Sequence, residues 1–142
     1  MSEFRQRLTI NNDLAYLAQV RELVRSGVQR GEFPAHYLNR LQIAVDEAVT
    51  NIIEHGYADQ PRGKATIDLT VQVSPDMFLI EIVDQGASFD PKSMTDVDIA
   101  EHAANGRSGG LGVFLMRRIM DRVDYQYKSG QPNRLLLVKN RA

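Results

Sequence analysis

The sequence predicts an α+β fold: a two-layer α/β sandwich with about three main helices on one face of a mostly antiparallel, mixed sheet. Three observations lead to this prediction. Apolar residues recur at three- and four-residue steps up to residue 56, strict alternation replaces that pattern after residue 65, and two further strand patterns close the chain. The length of 142 residues fits a single domain, residues 1–142, with a core of its own.

Composition excludes several classes of function. A net charge of −1 gives no electrostatic basis for nucleic acid or an anionic membrane as the main partner. The chain has no cysteine, which removes disulfides and thiolate metal sites. No stretch approaches the ~20 apolar residues that a membrane span needs, and the N-terminus lacks an apolar signal core. We therefore expect a cytoplasmic protein.

The N-terminal part predicts a strand followed by a helix. Residues 6–10 form a short strand pattern, and residues 11–13 then offer capping oxygens for a helix that runs to Gln29. The helix has an apolar side and a charged, exposed side. The apolar side holds Leu14, Leu17, Val20 or Arg21, Val24 and Val28; Arg21, Glu22 and Arg25 lie mostly at the surface.

Residues 34–56, PAHYLNRLQIAVDEAVTNIIEHG, predict a second helix with one buried face. Pro34 suits its first turn and Gly56 its end. Glu47 and Asn51 fall about 40° apart on a second face, and His55 continues their line one turn later. These side chains are either ordinary solvated residues or a carboxylate and an amide that face a ligand together. The apolar set is Leu38, Leu41, Val45, Ala48, Val49 and Ile52.

Strict alternation from residue 65 predicts a half-exposed antiparallel strand and, after a turn at 74–76, a returning strand, MFLIEIVD. Glu81 is the only charged residue of the returning strand before Asp84, so we expect that strand to be central. The first of these strands divides its side chains between two faces. Ile67, Leu69, Val71 and Val73 lie on one face; Thr66, Asp68, Thr70 and Gln72 lie on the other.

Residues 85–112 have little periodicity, and a loop of that length in a compact domain is usually functional or disordered. A short helix is predicted around residues 98–104. The glycine-rich end of the loop leads into VFLMRRIMDRV, which predicts the third main helix. Strands over 123–127 and 134–138, joined by the turn SGQPN, complete the pattern.

In addition to the second helix, two motifs are suited to binding a ligand. Residues 107–112, RSGGLG, open the third helix, where free backbone N–H groups favour a phosphate and Arg107 can add a charged contact. Asp84 ends the buried strand and can accept a hydrogen bond from a ring amine such as that of adenine, while Gly86 leaves room for a flat ring. A glycine turn without ligand and a common strand-end turn are the alternatives. The spacing matches neither a P-loop nor a Rossmann fingerprint.

The order of these three motifs resembles that of the GHKL ATPase superfamily, and within it that of the small anti-sigma-factor serine kinases. The likeness covers nearly the whole chain, and EAVTNIIEHGY and RSGGLGVFLMRRIMD are its specific parts. The resemblance implies ATP and Mg²⁺ as cofactors. It implies that Asn51 binds Mg²⁺, that Glu47 activates the attacking hydroxyl, and that Asp84 holds adenine. Residues 87–108 would form a mobile lid.

By the same resemblance, a defined set of residues contacts the nucleotide and its phosphates. One departure is Ser88, which stands where the superfamily often has the second glycine of D-x-G-x-G. This departure bears on the tightness of nucleotide binding. The predicted set is Asn51, His55, Asp84, Gly86, Ala87, Arg107, Ser108, Gly109, Gly110, Leu111 and Gly112.

The predicted function is therefore an ATP-dependent serine/threonine protein kinase that also acts as an anti-sigma factor. By resemblance, it binds a sigma factor, phosphorylates a serine on an anti-anti-sigma antagonist and forms a homodimer. The exposed Arg21 and Arg25 mark the expected partner surface. The alternatives are a non-catalytic module whose nucleotide only sets its affinity for a protein partner, and an interaction domain without nucleotide.

Overall fold

The computed structural model describes residues 3–56, 65–85, 116–126 and 132–141. Within these ranges the helices and strands follow one another in the order that the sequence predicts. The elements are β1 (Phe4–Asn11), α1 (Leu17–Arg30), α2 (Leu38–Asn51), β2 (Thr66–Val73), β3 (Met77–Asp84), β4 (Arg122–Gln126) and β5 (Asn133–Asn140). Short 3₁₀ turns, Leu14–Tyr16 and Ala35–Tyr37, precede the two helices, a π-helical segment, Ile52–Gly56, follows α2, and residues 116–119 are helical.

The described strands form one sheet in the order β1-β2-β3-β5-β4. The prediction that MFLIEIVD is central is confirmed, because β3 is the middle strand. Every pair of neighbouring strands in the described sheet is antiparallel, so the mixed part of the prediction is not found there. The register places Asp84, the last residue of β3, opposite Asn133, the first residue of β5.

The helices cover one face of this sheet, as predicted for a two-layer α+β sandwich. Helix α1 lies so close to the strands that a Cβ added at Gly27 would stand 2.8 Å from the Val71 side chain and 3.1 Å from that of Phe78. A larger residue at position 27 would separate the two layers. The buried apolar core between them includes Val20, Val24, Leu41, Val45, Val49, Ile67, Leu69, Phe78, Ile80, Ile82, Leu135 and Leu137.

The start of the first helix differs from the prediction. Asp13 caps it as expected, since its Oδ1 accepts a hydrogen bond from the Ala15 N–H at 2.9 Å. The first turn is a 3₁₀ turn, which rotates residues differently from an α-helix. The prediction that Leu14 belongs to the buried side is therefore wrong, because Leu14 is 43% exposed. Arg21 and Arg25 are exposed, as predicted.

The second helix has the predicted extent, from the 3₁₀ turn after Pro34 to Gly56, but its last five residues are π-helical. Several strand boundaries also differ; β1, for example, is Phe4–Asn11 where residues 6–10 were predicted. Val123, assigned to both the third helix and a strand, lies in β4, and Asn133, assigned to the final turn, begins β5. No helix in the described ranges is long and apolar enough to cross a membrane. The cytoplasmic location stays a prediction.

Candidate functional site

Asn51, the last residue of α2, has a buried amide that nothing in the described ranges satisfies. The residue is 2% exposed, and neither its Oδ1 nor its Nδ2 has a hydrogen-bond partner among the described residues. Buried amides without partners are rare because each carries a desolvation penalty. An amide oxygen is also a ligand that Mg²⁺ accepts. The side chain therefore fits the predicted role of Asn51 as a metal ligand.

Glu47 lies on α2 one turn before Asn51 and is partly buried. Burial raises the pKa of the Glu47 carboxyl above its usual range, and the negative charges of Asp46 and Glu54 raise it further. A carboxylate with a raised pKa takes up a proton more readily near neutral pH. This environment suits the base that the sequence predicts at Glu47.

An ion pair joins α1 to α2 beside Glu47. The Arg21 Nε donates to the Asp46 Oδ2 at 2.6 Å, and one turn earlier on α2 the Gln42 Nε2 donates to the Arg21 carbonyl at 3.1 Å. Arg21 lies at the surface as predicted, with 51% of its side chain exposed. Asp46 was not predicted to form an ion pair. The pair fixes the turn of α2 that carries Asp46 and Glu47 against α1.

Asp84 ends the central strand and faces the helices, on the same side of β3 as Ile80 and Ile82. It is 3% exposed, and its Oδ1 accepts a hydrogen bond from the Nδ2 of Asn133 at 3.1 Å. Asn133 was not predicted as a site residue. A signal for it exists, because Asn133 falls in the same alternation as the buried Leu135 and Leu137 of β5.

A magnesium ion at Asn51 would need oxygen ligands beyond those of the described residues. In those residues no group of three or more His, Cys, Asp or Glu side chains could hold a metal ion. Mg²⁺ is commonly bound by one or two protein oxygens together with water and the phosphates of a nucleotide. The residues present therefore fit Mg²⁺ that arrives with a nucleotide better than a metal site built by the protein alone.

The remaining predicted site residues fall outside the described structure or at its edge. The backbone of His55 belongs to the π-helical segment that follows Asn51. The structure thus brings Asn51, Glu47 and Asp84 to the helix-covered side of the sheet. The following residues lie outside the described ranges, and their roles stay predictions: Gly86, Ala87, Arg107, Ser108, Gly109, Gly110, Leu111 and Gly112.

Known proteins resemble this chain along most of its length. The model of the histidine kinase-like ATPase domain matches residues 10–139. The serine-protein kinase RsbW of Listeria monocytogenes is 33% identical over 110 residues, which cover 74% of this chain and 69% of the relative. RsbW of Halalkalibacterium halodurans is 29% identical over 127 residues, 87% of this chain and 76% of the relative. The serine/threonine-protein kinase BtrW of Bordetella bronchiseptica is 31% identical over 113 residues, which cover 80% of this chain and 78% of the relative.

Proposed function

Because the chain belongs to the histidine kinase-like ATPase family, we propose that it is a serine/threonine protein kinase that transfers phosphate from ATP with the help of Mg²⁺. The family confirms the superfamily that the motifs predict, and with it the use of ATP. The relatives, named as serine or serine/threonine kinases, support the enzyme class. That residues 1–142 act as one kinase domain is part of the proposal.

The observation that carries this proposal is the buried amide of Asn51, which has no hydrogen-bond partner among the described residues and lies one turn after the partly buried Glu47. A protein that only packed its core at this position would gain stability from an apolar side chain there. An amide kept without a partner suits a site whose partner is a ligand. We assign Asn51 Oδ1 to Mg²⁺, which when bound neutralises charge on the phosphates.

Asp84 and Glu47 have different proposed roles in phosphoryl transfer. Asp84 accepts a hydrogen bond from the amine of the adenine ring and so orients the nucleotide. Glu47 accepts the proton of the substrate serine hydroxyl as that oxygen bonds to the γ-phosphorus, and the bond from the γ-phosphorus to the bridging oxygen of ADP breaks. Partial burial of Glu47 beside two other carboxylates favours its uptake of that proton.

We propose the partners that the family resemblance implies. The protein binds a sigma factor, phosphorylates a serine on an anti-anti-sigma antagonist, and forms a homodimer. The exposed side of α1, with Arg21 and Arg25, is the proposed surface for these proteins, since more than half of each guanidinium side chain is exposed. Charge reversal at Arg25 that left partner binding unchanged would remove that assignment.

Transfer of labelled γ-phosphate to an anti-anti-sigma protein from the same genome tests the proposal, with Glu47→Gln beside the wild type. We expect Glu47→Gln to lose transfer by roughly a hundredfold or more because it removes the base, while ATP binding is retained. Glu81→Gln is the matched control, since Glu81 pairs with Arg134 on the other face of the sheet. It should transfer like the wild type.

Equal transfer by Glu47→Gln and the wild type would contradict the role of Glu47. A wild type that binds ATP yet transfers nothing to the antagonist would contradict the kinase assignment. That second result would favour a module in which the nucleotide only sets the affinity for a protein partner.

A further inference from the structure

Asp84 and Asn133 form a buried polar pair at one end of the two central strands. They lie opposite each other in the β3–β5 register and are 3% and 2% exposed. The Asn133 Nδ2 donates to the Asp84 Oδ1 at 3.1 Å. Burying an amide beside a carboxylate in an otherwise apolar layer is costly unless their hydrogen bonds compensate. Their hydrogen bond offsets part of this cost, and it connects Asn133 directly to the carboxylate that is proposed to contact adenine.

The hydrogen bond from Asn133 constrains the Asp84 carboxyl in two ways. The terminal torsion of an aspartate is broad, and a donor held by the neighbouring strand restricts it to one orientation. The donor also makes the Asp84 Oδ1 an acceptor while the bond is made. Asn133 thereby holds the carboxylate in one orientation, with one of its oxygens already engaged as an acceptor.

An accepting group of fixed orientation distinguishes purines by their 6-position. Adenine carries an amine there, which donates, whereas guanine and hypoxanthine carry a carbonyl oxygen, which accepts. A carboxylate that met this oxygen would place two buried acceptors against each other with no donor between them. A carboxyl that was free to rotate could turn away from the oxygen and avoid this contact.

We propose that Asn133 is a positioning residue for base selection: it holds the Asp84 carboxylate as a fixed acceptor, and so selects a 6-amino purine over a 6-oxo purine. This inference rests on the proposed function, since it requires that ATP binds at Asp84. Asn133 acts through Asp84 and takes no part in phosphoryl transfer.

Calorimetric titration with ATP and with ITP tests this role, because the two nucleotides differ at the 6-position of the base and the adjacent ring nitrogen. We expect the wild type to prefer ATP on the order of a hundredfold. In Asn133→Leu, which keeps a branched side chain without the donor, we expect ATP to bind roughly ten- to a hundredfold more weakly and ITP to change less. The ATP-to-ITP ratio should then fall about tenfold or more.

Two further variants separate this role from a purely structural one. Asn133→Ala removes the donor without adding methyl groups, and it should lower the ratio in the same way if Asn133→Leu does not fold. Leu137→Ala opens a cavity on the same face of β5, where Leu137 is fully buried and lies opposite Ile80. It should lower the melting temperature and leave the ATP-to-ITP ratio unchanged, because it does not touch Asp84.

The possible failures of the inference and of the proposed function are distinguishable. A wild-type ratio retained in both Asn133 variants, with cooperative melting, would overturn base selection by Asn133 and leave the ATP site standing. Equal affinity of the wild type for ATP and ITP would also overturn base selection by Asn133 and leave the ATP site standing. Absence of ATP binding by the wild type would overturn the proposed function, and the inference with it.

Discussion

Two buried asparagines of this chain differ in whether their amides have partners. Asn12 is 3% exposed, and its Oδ1 accepts a hydrogen bond from the Ala65 N–H at 3.0 Å, which ties the end of β1 to the start of β2. Asn51 is 2% exposed and has no such bond among the described residues. A satisfied buried amide contributes to stability, whereas an unsatisfied one costs stability. The contacts within the described ranges therefore make the first amide structural and give the second no stabilising role.

Replacing each asparagine singly by leucine should change the free energy of unfolding in opposite directions. We expect Asn51→Leu to raise the free energy of unfolding of the nucleotide-free protein by about 1 kcal/mol or more, because it removes an unsatisfied amide. Asn12→Leu should lower it by about 1–3 kcal/mol, because it leaves the Ala65 N–H without its acceptor. Urea denaturation of the two variants and the wild type measures both changes.

The signs of these two changes in stability show whether the Asn51 amide has a partner in the folded protein. If Asn51→Leu lowered the stability as much as Asn12→Leu does, the Asn51 amide would have a partner in the folded protein. Its role as a ligand for Mg²⁺ would then lose its main support.

At the scale of elements, Arg141 joins three segments at the end of the molecule where β5 finishes. Its guanidinium donates to the carbonyl oxygens of Glu32 at 2.6 Å, Ser74 at 2.8 Å and Pro75 at 2.8 Å. It also lies over the Phe33 ring, 5.1 Å from the centroid. One side chain thus ties the α1–α2 connection to the β2–β3 turn and to β5.

We expect Arg141→Met to lower the free energy of unfolding by about 2 kcal/mol, because it leaves several carbonyl oxygens without their charged donor. Arg134→Met is the matched control. Arg134 pairs with Glu81 at 2.5 Å, but 48% of its side chain is exposed, and exposed ion pairs contribute about 0–1 kcal/mol. Chemical denaturation of both variants checks the difference, and equal effects would contradict the proposed role of Arg141.

The elements could be predicted from the sequence where their pattern is local. Helical spacing located both α-helices, and alternation located β2 with the correct face for each side chain; the run MFLIEIVD was correctly predicted as the returning, central strand β3. Boundaries were less accurate where the backbone departs from regular geometry. The 3₁₀ turn that exposes Leu14 and the π-helical segment after Asn51 leave no clear mark in a periodicity.

The candidate site could be predicted only in part for the same reason. Glu47 and Asn51 are one turn apart on a single helix, so local spacing predicts that they share a face. The pairs Arg21–Asp46 and Asp84–Asn133 join residues 25 and 49 positions apart, which only the packing of α1 on α2 and the β3–β5 register bring together. A pattern read along one element contains no information about such contacts.

At the scale of the whole molecule, the two layers divide the predicted site between them. The helix layer supplies Glu47 and Asn51, and the sheet supplies Asp84 with Asn133. The other face of the sheet carries ion pairs that include Arg7–Asp68 at 3.2 Å and Arg134–Glu81 at 2.5 Å. A nucleotide bound by both layers would therefore link α2 to the central strands, and loss of either layer's contact should weaken binding.

Calorimetric titration of ATP with Mg²⁺ into the wild type, Asn51→Ala and Asp84→Asn tests this account most directly. Arg134→Met, on the other face of the sheet, serves as the control. We expect micromolar binding by the wild type and by the control, and loss of binding in both site variants. Absence of binding by the wild type, or wild-type affinity in both site variants, would contradict a nucleotide site formed by both layers.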